Sequence, residues 1–286
     1  MRPTERRQRF RNHLAGITCV QPASVFDPIT ARIADALGFE IGMLAGSVAS
    51  AVVLGAPDVA VLSLPELAQQ AQRVTRASDI SLVVDADHGY GNALGVMRTV
   101  HELENAGVSA MTIEDSSLPA AFGASGSEPL ISTNEMTAKL RAALEARADP
   151  ATVIIGRTHA MRSEGLESTL ARARAYAATG VDALMVVNMP NEVDVSALEA
   201  AVDLPLVIGG PVSPMTNEQL AAHRVRVVIR GHAVLQATVK AVYEALSRQA
   251  AGQAAPEYAD LLASTEQMGV ATGTEIYERL RQDYLG

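Results

Sequence analysis

Eight short runs of Val, Ile, Leu and Met, each followed by a stretch with helical spacing, limit most strongly what this chain can fold into. The runs are "GITCVQP" (16–22), "IGMLAGS" (41–47), "SLVVDAD" (81–87), "SAMTIED" (109–115), "TVIIGRT" (152–158), "DALMVVN" (182–188), "LPLVIGG" (204–210) and "VRVVIRG" (225–231). Apolar runs without polar alternation read as strands covered on both faces, which is the condition of a parallel sheet. Helical patterns fall between them, at 28–38, 64–78, 92–106, 134–147, 165–179 and 233–249, and Gly38, Gly107 and Gly180 stand at plausible helix stops. Eight strand–helix units predict a closed (β/α)8 TIM barrel, a fold for which 286 residues is an ordinary single-domain length. An open sheet with a nucleotide site would carry a Gly-rich loop after its first strand, and "QPASVFDP" is not one. The barrel is expected over 1–250. Residues 251–286 read as a linker and a helical tail whose apolar positions need a surface to pack on.

In a barrel, catalytic groups gather at the C-terminal ends of the strands. Here those ends carry Ser47 and Ser50, then Asp85 and Asp87, Glu114 and Asp115, Arg157 and His159, Asn188, and finally Arg230 and His232. Side chains at i and i+2 of a strand share a face, so Asp85 and Asp87 put two like charges side by side. Asp85, Asp87 and Glu114 are hard oxygen donors with no Cys or His cluster beside them, which suits Mg²⁺, with Mn²⁺ a possibility, better than Zn²⁺. Mg²⁺ keeps much of its water, so one direct carboxylate ligand is expected, with the other acids holding its waters. Arg157 offers a planar fork for a carboxylate. A metal beside an arginine points to a small chelating anion such as a 2-oxo acid.

The net charge is −9, from 23 basic and 32 acidic residues, which argues against nucleic acid or an anionic membrane as partner. The start, "RPTERRQRFRNH", is locally basic but has no apolar core after it and does not read as a secretory signal. Cys19 is the single cysteine, so no intrachain disulfide or Cys-based metal site can form, in keeping with a reducing cytoplasm.

The series "SVFDPITARIADALGFEIGMLAGSVAS", "GAPD", "DADHGYGNA", "TIED" and "GRTHA" resembles the phosphoenolpyruvate mutase/isocitrate lyase superfamily over roughly 10–250. "LAGSVAS", "DADHGYGNALGVMRTVHELENAG" and "RGHAVLQATVKAVYEAL" look most like its oxaloacetate decarboxylase branch. The resemblance implies a TIM barrel whose last helix is exchanged between subunits, in dimers that pair into tetramers, and so a partner subunit for the C-terminal tail. It implies Asp85 as the direct Mg²⁺ ligand, with Asp58, Asp87 and Glu114 acting through water. It also implies that Ser47, Ser50 and nearby amides hold substrate oxygens, with Arg157 and His232 opposite. The reaction expected on that basis is decarboxylation of oxaloacetate through an enolate. Cleavage of another C–C bond, or hydrolysis of another 2-oxo acid or phosphonate, is the alternative, and a non-catalytic 2-oxo-acid binder is a third.

Three departures accompany the resemblance. The stretch 115–132 lacks the Lys-Lys-Cys-Gly-His loop of the isocitrate lyases. His159 stands where such relatives usually have Asn or Asp, and 207–214 lacks the polar aromatic residues of the closest decarboxylases.

Overall fold

The computed structural model describes residues 1–123, 129–210, 212 and 214–286. Part of the 115–132 loop and part of the 207–214 segment therefore lie outside the described residues. Eight parallel strands run in order β1 to β8: Ala23–Ser24, Ile41–Leu44, Ser81–Asp85, Ala110–Glu114, Val153–Thr158, Ala183–Val187, Leu206–Gly209 and Val225–Ile229. The helices are α1 (Pro3–Ala15), α2 (Pro28–Ala36), α3 (Gly46–Leu54), α4 (Leu64–Ala77), α5 (Ala93–Asn105), α6 (Thr133–Ala146) and α7 (Ala160–Ser163). They continue as α8 (Leu166–Ala177), α9 (Glu192–Ala201), α10 (Asn217–Ala222), α11 (Ala233–Ala250), α12 (Thr265–Thr272) and α13 (Thr274–Leu285). The sheet is of the TIM-barrel type. The expected first strand sits later than its apolar run: β1 is only Ala23–Ser24, and Val20 makes a separate parallel bridge to Val227 of β8. Pro22 lies between the two, and with no N–H it cannot continue the ladder.

The period of two along each strand sorts the core into two compartments. Leu82 and Val84, Met111 and Ile113, and Ile154 belong to the large cluster shared with the surrounding helices. Val83, Ala110, Val153, Ile155, Met185, Val207 and Val227 fill the inside of the sheet. The inward rows continue upward into polar residues: Val83 to Asp85, Ala110 through Thr112 to Glu114, and Ile155 to Arg157. The site is thus the top layer of the same stack, and β4–β5 pairing sets Glu114 directly beside Arg157.

The basic start of the chain is α1, and it closes the other end of the sheet. Phe10 and Leu14 join the inner cluster from below. The surrounding cations cap carbonyls that the strand starts and helix ends leave open. Arg6 Nη1 donates to the Thr75 and Ser78 carbonyls (2.6 and 2.8 Å), and Arg7 to those of Val108 and Glu104 (3.0 and 2.7 Å). Arg11 Nε donates to the Ala151 carbonyl (2.9 Å), and His13 Nε2 to that of Arg226 (2.8 Å).

The helix that follows β8 stands largely unpacked, as does α13. No residue of α11 is buried, and Val239, Val242, Tyr243 and Leu246 are all exposed. Beside it, between α2 and the start of α11, runs an apolar groove of about 670 Å³ whose wall includes Phe26, Ile29, Ile33, Leu37 and Phe39. Farther on, α12 rests on α2 of its own chain, where Ala271 is buried and Arg32 Nη1 donates to the Thr272 carbonyl (3.0 Å). Among the described residues no helix is long and apolar enough to cross a membrane.

Candidate active site

Above the inner core lies a cavity of about 340 Å³ with a divided lining. Its floor is apolar, from Met43, Met185, Val187 and Ile229, and its rim carries Asp85, Arg157, His159, Asn188, Arg230 and His232. Asp85 is fixed at both oxygens. Thr112 Oγ1 donates to Oδ1 (2.8 Å), the Asp87 N–H approaches the same oxygen (3.3 Å), and Arg157 Nη1 donates to Oδ2 (2.5 Å). Arg157 Nη2 also pairs with Glu114 Oε2 (3.1 Å). Burial raises the Glu114 carboxyl, but Arg157 and the His159 hydrogen bond outweigh it and bring it down to about 2.

Asp87 has the opposite environment. It sits in a loop that also holds Tyr90 in the left-handed region, with φ of 45° at Asp87 and 56° at Tyr90. Non-glycine residues adopt that region only where their surroundings enforce it. One enforcing contact is Lys139 of α6, whose Nζ donates to the His88 carbonyl. Another is Gly46 at the start of α3, where a Cβ would run into the Asp87 carboxylate. Burial pushes the Asp87 carboxyl well above its usual range, and the charges of Asp85, Glu114 and Asp58 push it the same way. Asp58, on the exposed loop after α3, is therefore electrically part of the cluster.

Asp58, Asp85, Asp87 and Glu114 crowd around Arg157, with Arg162 and Arg230 also on the cavity lining, and so dense a set of carboxylates suits a cation. Among the described residues no three His, Cys, Asp or Glu side chains converge to grip a metal directly. Several buried polar side-chain atoms without a partner nevertheless lie near the carboxylates: Tyr90 Oη, His88 Nδ1, Arg157 Nε and His159 Nδ1. Native interiors leave few such atoms unpaired. An all-oxygen donor set with one fixed carboxylate and spare hydrogen-bonding groups fits a hydrated divalent ion of the Mg²⁺ kind.

Of the expected substrate contacts, Arg157 and His232 line the cavity. Burial lowers the His232 imidazole, so its neutral form is favoured. Ser47 lies half-buried in the first turn of α3, whose leading N–H groups have no helical partner. Ser50 is buried, and its hydroxyl donates to the Pro57 carbonyl (3.0 Å), which ties α3 to the Asp58 loop. Asp115, next to Glu114 in sequence, points outward and is fully buried, with bonds from Thr158 Oγ1 and Tyr176 Oη. Sequence reading missed Thr112, although it is the middle member of the inward row that ends in Glu114. It also passed over Arg162, on the cavity wall in a four-residue helix too short to show periodicity.

The phosphoenolpyruvate phosphomutase family model matches residues 10–250. The chain belongs to the phosphoenolpyruvate phosphomutase family. Within this enzyme family it is similar to a protein named oxaloacetate decarboxylase from Rhodopseudomonas palustris (strain BisB18), at 47% identity over 282 residues, covering 98% of this chain and 97% of that one. Among solved structures, oxaloacetate acetylhydrolase in complex with the inhibitor 3,3-difluorooxalacetate superposes with a TM-score of 0.87 at 26% identity, over 100% of this chain and 99% of that one. Phosphonopyruvate hydrolase in complex with oxalate and Mg²⁺ gives a TM-score of 0.87 at 26% identity, over 100% of both chains.

Proposed function

We propose that this member of the phosphoenolpyruvate phosphomutase family decarboxylates oxaloacetate to pyruvate and CO₂ with Mg²⁺ or Mn²⁺. The observation that carries it is one cavity holding a carboxylate cluster on one side and Arg157 with His232 on the other, in a chain 47% identical to a named oxaloacetate decarboxylase. Asp85, with Asp58, Asp87 and Glu114 acting through water, would hold a divalent cation, which when bound would supply stabilisation for an enolate oxygen. The chain supplies the rest. Arg157 binds a substrate carboxylate through its fork. The N–H groups at the start of α3, with Ser47, face developing oxygen charge, and Ser50 holds the adjoining loop in place. As the C3–C4 bond breaks, its electron pair moves into C2–C3 and onto the C2 oxygen, CO₂ leaves, and C3 then takes a proton to give pyruvate. Neutral His232 donates a hydrogen bond on the substrate side. The apolar floor strengthens each of these interactions by keeping water out.

We also propose that α11 and its neighbouring groove are covered by a second copy, in dimers that pair into tetramers. An 18-residue helix with no buried residue beside an apolar groove supports this.

The test is release of pyruvate and CO₂ from oxaloacetate with Mg²⁺, above the background of the free ion, for wild type and Asp85→Ala. Metal-dependent turnover absent from the variant is the expected result. Oxalate and acetate as products, or no turnover above background, would refute the decarboxylase reading.

A further inference from the structure

The fold, more than its own packing, places His159. Its N–H donates to Asp115 Oδ1 (3.1 Å), and the fully buried Asp115 is held in turn by Thr158 Oγ1 (2.6 Å) and Tyr176 Oη (2.7 Å). The imidazole therefore projects from an anchored piece of backbone into the cavity wall. Its Nε2 lies 2.8 Å from Arg157 Nη2 and 3.0 Å from Glu114 Oε2. A guanidinium can only donate and a carboxylate can only accept, so Nε2 serves Glu114 when it carries a proton and Arg157 when it offers its lone pair, one at a time; with Glu114 engaged by a cation, the lone pair goes to Arg157.

Arg157 then has three partners of two kinds. Asp85 and Glu114 are carboxylates, which the function proposed above commits to a cation, and this inference rests on that reading. His159 is the third, and as an acceptor it is uncharged. We propose that His159 is a positioning residue for Arg157. It keeps the guanidinium oriented toward the substrate anion once the two carboxylates are engaged elsewhere. A carboxylate in its place would also orient the fork but would cancel its charge. An imidazole lone pair orients it and leaves the positive charge for the anion.

The substitutions that test this are His159→Gln, which keeps a neutral acceptor, His159→Phe, which keeps the ring without one, and His159→Asp, which adds the charge. The readouts are oxalate affinity by calorimetry in Mg²⁺-saturated protein and Mg²⁺ affinity in anion-free protein. Loss of one hydrogen bond to a charged group predicts that His159→Phe and His159→Asp weaken oxalate about tenfold, that His159→Gln stays within about threefold of wild type, and that Mg²⁺ affinity of the Gln and Phe variants changes by less than about twofold. Should His159→Phe not fold, His159→Ala replaces it with the same expectation. Oxalate bound by the Phe variant as by wild type, equal losses in Gln and Phe, or a loss of Mg²⁺ affinity as large as that of oxalate in the Phe variant would overturn the proposal. A wild type that binds oxalate with Mg²⁺ but releases no pyruvate from oxaloacetate would refute the function and leave the His159 comparison intact.

Discussion

At the scale of single residues, the site is a contest for Asp85. Its Oδ2 is held by Arg157, the group expected to hold substrate, and under the proposed function the same carboxylate would also serve a cation. On that reading cation and guanidinium would compete for one carboxylate, and Arg157 would become available to an anion once the carboxylate served the cation. Replacing Arg157 by Gln removes a positive charge a few ångströms from the cation position. Coulomb's law at high effective dielectric then predicts Mg²⁺ binding about threefold to tenfold tighter in anion-free protein. The same variant loses charged hydrogen bonds to the anion, so oxalate should bind about tenfold to a hundredfold more weakly. Calorimetric titration with each ligand alone checks both directions. If Mg²⁺ weakens instead, Arg157 serves mainly to hold the carboxylates in place. Much of this was legible in the sequence, because strand periodicity and the position at strand ends put Asp85, Glu114 and Arg157 on one rim. The direct pairing of Arg157 with the acids was not, since it depends on the β4–β5 register. Nor was the part played by His159, where the sequence offered only an unexpected residue type.

Among the elements, seven of the eight strands and the main helices were legible, whereas β1, which falls after its apolar run, and α1 were not. A parallel strand needs an apolar run, and the chain supplies eight. The basic residues of α1 that cap the barrel find their partners 31 to 213 positions away, and no local pattern reports contacts at that distance. One of those contacts carries a pH signature. Arg7 Nη1 donates to Asp149 Oδ2 (2.7 Å), and Thr4 Oγ1 donates to the same carboxylate (2.8 Å). Burial raises Asp149, but these bonds and the Ala151 N–H outweigh it and leave its pKa below the ordinary 3.8. A carboxylate depressed in the folded state contributes stability that is complete above the unfolded value and lost as pH falls through the folded one. Asp149→Asn should therefore be less stable than wild type at neutral pH, with the gap shrinking as pH drops below about 4. Urea unfolding across that range measures it, and a gap independent of pH would contradict the assignment.

For the whole molecule, the exposed face of α11 sets the expectation. Val242 is 53% and Tyr243 74% exposed on a helix that a monomeric barrel would press inward. A charge at Val242, as in Val242→Glu, should lower the molar mass seen by light scattering while the far-ultraviolet dichroism stays that of the folded chain. An unchanged mass would remove α11 from the interface. The bottom of the barrel sets another expectation, in time. The α1 helix leaves the ribosome ahead of the strands it seals, for its seat is made by chain from β2 through β8, and His13 waits for Arg226, 213 residues later. Synthesis delivers the stopper long before the vessel. Until β8 is complete, the inner cluster around Phe10 is unfinished and His13 has no partner, so full seating of α1 is expected to be a late event in the birth of this enzyme.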